Sequence, residues 1–169
     1  MHPSSSNRTS AWEIRRDDLT GDSIRRLLRE HLEHMLSVTP RHSAHALDVE
    51  RLQAPEIAFW SLWEGGELLG CGALKEIDGA TGEVKSMRTA DAHRGRGVAT
   101  RILAHLEAEA RRRGYERLCL ETGVFDAFTS ARTLYAKHGF RVCGPFGAYV
   151  EDPNTVFMEK AIAPASDDH

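Results

Sequence analysis

The chain has 169 residues, 41% of them hydrophobic, which is enough for one packed core and short for two. Its 22 basic and 25 acidic side chains leave a formal charge of −3, which announces neither a nucleic-acid partner nor an anionic membrane. No apolar run approaches the roughly 20 residues that span a bilayer, and the opening MHPSSSNRTS is polar, so a soluble cytoplasmic protein is expected.

Residues 1–10 and 163–169 read as tails around one domain spanning 11–162, with no internal repeat or composition break between them. Trp12 to Asp17 predicts a short strand. Thr20 or Asp22 then caps a helix whose apolar positions Ile24, Leu27, Leu28, Leu32, Met35 and Leu36 recur at three and four, up to Pro40. Residues 40–56 predict an irregular connection with a short helix around Ala46 to Leu52. Ile57 to Trp63 and Leu68 to Ile77 read as an antiparallel hairpin around Gly65 and Gly66, and Glu83 to Thr89 adds a third strand. A helix follows from Val98 to Gly114, with Val98, Ile102, Leu103, Leu106 and Ala110 inward and the pairs Glu107 with Arg111 and Glu109 with Arg113 outward. Arg117 to Thr122 is the next strand. A helix through Phe128, Ala131, Leu134, Tyr135 and His138 stops at Gly139, and Phe140 to Cys143 and Thr155 to Ile162 supply the last strands. Cys71 and Cys119 lie inside apolar strand runs and no C-x-x-C pair occurs, so the cysteines read as structural.

The chemistry concentrates between Met87 and Thr100, where a strand end meets a helix start. Backbone N–H groups that the helix leaves unpaired converge there, with the positive end of the helix dipole behind them. Gly95 and Gly97 keep Cβ atoms away from those amides, while Arg94 and Arg96 offer charge-assisted donors, an arrangement suited to a diphosphate without a metal. A P-loop is excluded because no Gly-Lys-Ser/Thr follows. The third glycine of a dinucleotide fingerprint is Thr100 here.

These residues resemble the GNAT superfamily of N-acetyltransferases. Arg94-Gly95-Arg96-Gly97-Val98-Ala99 is similar to that family's Gln/Arg-x-x-Gly-x-Gly/Ala loop for acetyl-coenzyme A, and Leu134-Tyr135 with Gly139-Phe140 is similar to its second motif. Leu120-Glu121-Thr122-Gly123 and Asp152-Pro153-Asn154 further resemble a small bacterial subgroup typified by YsnE. The resemblance implies an α/β fold of the α+β kind: a mixed, mostly antiparallel sheet with helices on both faces, splayed between the fourth and fifth strands. It implies acetyl-coenzyme A as cosubstrate and no metal. The pantetheine arm would lie in the splay against Met87, Arg88 and Thr89, and the diphosphate against Arg94, Gly95, Arg96, Gly97, Val98, Ala99 and Thr100. Many members carry an asparagine where this chain has Phe128, and Thr129, Ser130 or Arg132 stands in for it here.

Acetyl transfer to an amine needs a base, because an alkyl amine with a pKa near 10 is protonated at pH 7. Glu83 and Glu121 are both candidates for that role. The family's motif places Tyr135 as the acid that protonates the leaving thiolate. The acceptor is then a primary amine of a small molecule or peptide, attacking directly in a ternary complex. The alternatives are an acyl-coenzyme A-binding regulatory module without turnover and a small acid acceptor linked to an indole metabolite. Family members are commonly dimers, so a homodimer is the expected assembly, with no nucleic-acid or membrane partner. His31, His34, His42 and His45 crowd the segment that borders the acceptor pocket in relatives, and they read as ordinary histidines or acceptor contacts before metal ligands.

Overall fold

The computed structural model describes residues 11–44 and 48–163; the expected tail at 1–10, all but residue 163 of the tail expected at 163–169, and His45 and Ala46 lie outside the described residues. The elements are β1 (Trp12–Arg16), α1 (Asp22–Val38), α2 (Val49–Leu52), β2 (Ile57–Glu64), β3 (Glu67–Asp78), β4 (Thr81–Thr89), α3 (Val98–Arg112), β5 (Arg117–Gly123), α4 (Thr129–Lys137), β6 (Arg141–Cys143) and β7 (Thr155–Ala161). The strands form one seven-stranded sheet in the order β1-β2-β3-β4-β5-β7-β6. All neighbouring strands are antiparallel except β4 and β5. This is the mixed α/β arrangement expected, with the parallel step between the fourth and fifth strands.

Both faces of the sheet are covered, which is why β2 reads as a nearly unbroken apolar run. Ala58, Trp60 and Leu62 alternate onto one face, where they meet Ile102, Leu103 and Leu106 of α3. Ile57 and Phe59 go to the other, beneath Ile24, Leu27 and Leu28 of α1. Farther along that second face, the loop after β6 lays Phe146 and Tyr149 over Phe157 and Cys119.

Two details of α1 differ from the sequence reading. Its N-cap is Gly21, with no side-chain cap bond, because Thr20 instead donates its hydroxyl to Asp18. The apolar stripe also stops being core halfway along: Leu32 and Met35 are half-buried and Leu36 is 40% exposed. The second half of the helix walls open space rather than packing on the sheet. Among the described residues no helix is long and apolar enough to cross a membrane.

Candidate active site

β4 and β5 are hydrogen-bonded neighbours at Thr81↔Arg117, Gly82↔Leu118 and Glu83↔Cys119. Beyond that point β4 runs on to Thr89 and β5 to Gly123 without pairing to each other, so the sheet opens into a gap. A bulge in β4 shapes it. Cys71 pairs with Arg88 and Ala73 with Lys85, so Ser86 and Met87 together oppose Gly72. Ser86 takes a φ of +54°, rare for a residue with a side chain, and its carbonyl accepts from the Cys71 thiol. The extra residue resets the alternation. Met87 turns toward α3 and contacts the Gly72 position, while Lys85 and Arg88 both end up on the α1 side.

Two cavities flank the gap. The outer one, about 510 Å³, is walled by Met87, Arg88 and Thr89 of β4, by Arg94, Gly95 and Gly97 of the loop, and by Val98, Ala99 and Thr100 of α3. Gly95 and Gly97 have φ of +79° and +83°. A Cβ on either would meet nothing within 4 Å, so it is backbone conformation and not crowding that calls for glycine here. Gly97 caps α3, and the first helical bond runs from Arg101 N–H to the Gly97 carbonyl. The N–H groups of Val98, Ala99 and Thr100 precede that bond and face the anion-binding end of the helix dipole.

The basic side chains divide. Arg94 remains exposed, 2.9 Å from Asp91, at the cavity wall. Arg96 is committed elsewhere: it donates to Glu64 at 3.0 Å, meets His93 at 2.8 Å and lies over the Trp12 ring. Its charge therefore serves the end of the β2–β3 hairpin instead of the cavity. Arg132 is likewise absent from the walls, because its guanidinium clamps the turn into α4 by donating to the carbonyls of Gly123 at 2.6 Å and Phe125 at 3.1 Å. Phe128 occupies the wall between the cavities, its ring so close to Gly123 that any Cβ there would overlap it.

The inner cavity, about 130 Å³, lies on the α1 side of the gap. Glu83 is 1% exposed; its Oε2 accepts from the Tyr149 hydroxyl at 2.7 Å and from the Lys85 ammonium at 3.1 Å, and Lys85 also donates to Tyr149 at 2.9 Å. Burial, followed by the nearby Glu83 charge, pushes the Tyr149 phenol far above its ordinary range, so it stays a donor. Glu121, half-buried on β5, reaches the same cavity. Tyr135, 6% exposed on α4, lines both cavities with its ring edge-on to Phe140. Its hydroxyl makes no hydrogen bond to a described residue, and burial raises the phenol well above its usual value. His31 of α1 also lines both cavities. Burial first, and then the Arg88 and His34 charges, push it down to about 4, which leaves a neutral imidazole at pH 7.

Tyr135, Glu83, Glu121 and the loop residues thus gather around one gap. Lys85, Tyr149, Thr39 and Thr155 join the inner cavity without having been singled out in the sequence. Lys85 had a signal, since two residues from Glu83 on a strand puts both on one face. Tyr149 had none, being brought there by a loop of irregular course. Cys71 and Cys119 are buried, with thiols pushed up to about 12 by burial, which suits inert packing. Among the described residues no group of three or more His, Cys, Asp or Glu is placed to hold a metal ion.

Residues 22–140 match the acetyltransferase (GNAT) family. The chain is 54% identical over 149 residues to the uncharacterized N-acetyltransferase YsnE of Bacillus subtilis strain 168, covering 88% of this chain and 99% of that protein. It is 48% identical over 147 residues to the uncharacterized N-acetyltransferase YedL of Escherichia coli K12, covering 87% and 92%. Its fold matches that of the PaiA N-acetyltransferase of Thermoplasma acidophilum in complex with coenzyme A, with a TM-score of 0.70 at 18% identity over 90% of this chain and 99% of that one. A sheet opened by a bulged strand, a glycine-capped helix at its mouth and relatives alike over nearly their whole length lead to one conclusion: the chain belongs to the GNAT family and is an acetyltransferase.

Proposed function

We propose that the protein moves the acetyl group of acetyl-coenzyme A to a primary amine by direct attack in a ternary complex. One observation carries the reading: two cavities, one walled by helix N-terminal amides and the other by a buried carboxylate, meet across the sheet gap at Tyr135 and Met87. The single domain expected at 11–162 would act as one catalytic unit.

The outer cavity fits a diphosphate. The N–H groups of Val98, Ala99 and Thr100 and the left-handed turns at Gly95 and Gly97 suit its oxygens, with Arg94 adding charge at the rim. The unpaired edge of β4 at Met87 and Thr89 suits the amides of a pantetheine arm, as an added strand would. When bound, acetyl-coenzyme A supplies a thioester carbonyl to the middle of the gap. That a fold neighbour was solved with coenzyme A supports this placement.

In this reading Glu83 is the base. Its Oε2 is held by Tyr149 and Lys85, while its buried Oε1 has no partner among the described residues and borders the inner cavity. That oxygen accepts the proton the amine must lose before its lone pair attacks. The C–N bond forms, the C–S bond breaks, the phenol of Tyr135 gives its proton to the departing thiolate, and the nitrogen's second proton passes to solvent, from which the phenolate recovers its own. Burial keeps that phenol protonated at neutral pH, and the same burial makes it a weaker acid than a free phenol. Glu121 faces the same cavity and is the comparison residue.

The test is thiol release from acetyl-coenzyme A with an amine panel. Glu83→Gln should lower kcat/KM for the amine by about 10²- to 10⁴-fold. Glu121→Gln should lower it less than about tenfold, and coenzyme binding by calorimetry should hold in both. Full activity of Glu83→Gln refutes the assignment, and the larger loss in Glu121→Gln transfers the role to β5.

A further inference from the structure

Six buried side-chain polar atoms have no hydrogen-bond partner among the described residues. Four of them, His31 Nδ1, Thr39 Oγ1, Glu83 Oε1 and Thr155 Oγ1, belong to residues that wall the inner cavity. Buried polar atoms in native proteins are nearly always paired, so four orphans around one small space mark where a polar guest completes the bonding. They come from separate parts of the fold: α1 and its C-cap, the end of the β4–β5 ladder, and the start of β7. Thr39 is 5% exposed and Glu83 1%.

Their chemistry defines the complement. A carboxylate oxygen accepts only, which suits an ammonium, whereas two threonine hydroxyls each donate and accept, which suits a hydroxyl or carboxylate. Lys85 adds a cation against the same wall, with a third N–H beyond the two it gives to Glu83 and Tyr149. His31, neutral as argued above, offers a ring nitrogen without charge repulsion. A volume of about 130 Å³ holds on the order of five to seven non-hydrogen atoms, given that benzene fills one of about 150 Å³. A bare alkylamine would satisfy Glu83 and leave the hydroxyls and imidazole unmet. An indole ring would bury apolar surface against them.

We propose that the acceptor is a compact amine that carries its own hydroxyl or carboxylate close to the nitrogen, a small amino alcohol or amino acid, with Thr39, Thr155 and His31 reading the second group. The inference rests on the acetyl-transfer reading above and narrows its substrate class.

The experiment compares kcat/KM for near-isosteric pairs, 2-aminoethanol against n-propylamine and glycine against isobutylamine, with tryptamine and a free tripeptide alongside. The polar member of each pair should be preferred by about 10- to 100-fold, the scale expected when a buried polar group is left unpaired. Thr39→Val and Thr155→Val keep side-chain shape and remove one hydroxyl each. Each should narrow the preference about tenfold, through KM for the amine. Two positions guard against one variant failing to fold. Equal use of n-propylamine, tryptamine or the tripeptide overturns the inference while leaving acetyl transfer standing, as does an unchanged preference in both folded variants. Acetyl-coenzyme A binding with turnover of no amine at all overturns both.

Discussion

Tyr135→Phe separates a proton donor from a packing residue, because the two roles predict different outcomes. The phenyl ring does the packing: it lies in the core cluster with its centroid 5.7 Å from that of Phe140, at 63° between planes. Phenylalanine keeps all of this. The hydroxyl makes no hydrogen bond to a described residue, so the roughly 0.5–1.5 kcal/mol that such a bond contributes is not lost on its removal. Tyr135 lines both cavities and its hydroxyl is not among the six fully buried unpaired atoms, so the variant should match the parent's stability to within about 1 kcal/mol. In a domain of this size that corresponds to a Tm within about 2–4 °C of the parent's. Turnover should fall. Loss of a general acid costs about 10²- to 10⁴-fold in kcat, or at least about 2.7 kcal/mol of barrier, with acetyl-coenzyme A affinity unchanged. Thermal unfolding and thiol release on the same preparation read both quantities. A variant that melts lower and turns over normally would show that the phenol is structural and refute the reasoning.

Gly97→Ala and Gly114→Ala form a matched pair, since both glycines have a φ of +83° and open space where a Cβ would go. Each should lose about 1–2 kcal/mol of stability in urea unfolding, and Gly97→Ala alone should weaken coenzyme binding tenfold or more by calorimetry. Equal binding in the two would remove the loop from the coenzyme site. His31 provides a pH signature. Its folded value of about 4 lies below the ordinary 6.5, so between those values the unfolded chain takes up a proton that the folded chain refuses. Stability therefore falls as pH drops from about 6.5 to about 4, by on the order of 3 kcal/mol, and this contribution is flat below. His31→Asn should lack that portion of the slope, and parallel pH profiles for the two proteins would show that His31 is not desolvated.

Periodicity makes the fold legible along most of the chain. The three–four spacing of α3 and the glycines at 65, 66 and 114 state local preferences that packing does not override. The glycine loop at the mouth is legible for the same reason, since positive φ and helix-terminal amides are local properties. The inner cavity is largely illegible. Ser86 carries no mark of the left-handed turn that it adopts, yet the bulge there decides that Arg88 rather than Met87 shares a face with Lys85. Arg96 and Arg132 look alike to sequence reasoning, as basic residues beside a coenzyme motif. Long-range partners, Glu64 for one and the Gly123 carbonyl for the other, decide where their guanidinium groups go. Tyr149 reaches Glu83 from 66 positions away, a contact that only the completed topology creates.

The parallel ladder of β4 and β5 works as a rivet, and its position sets the aperture on either side of it. The Tyr115 ring presses on the middle rung, Gly82, where an added Cβ would stand 2.8 Å from it. Tyr115 is itself moored to Glu76 at 2.9 Å, out on β3. The width of the opening is thus gauged partly from behind, by side chains that touch neither cavity. Under the proposed reading, reshaping this wedge should change which acceptors are used without changing a single residue of the reacting centre.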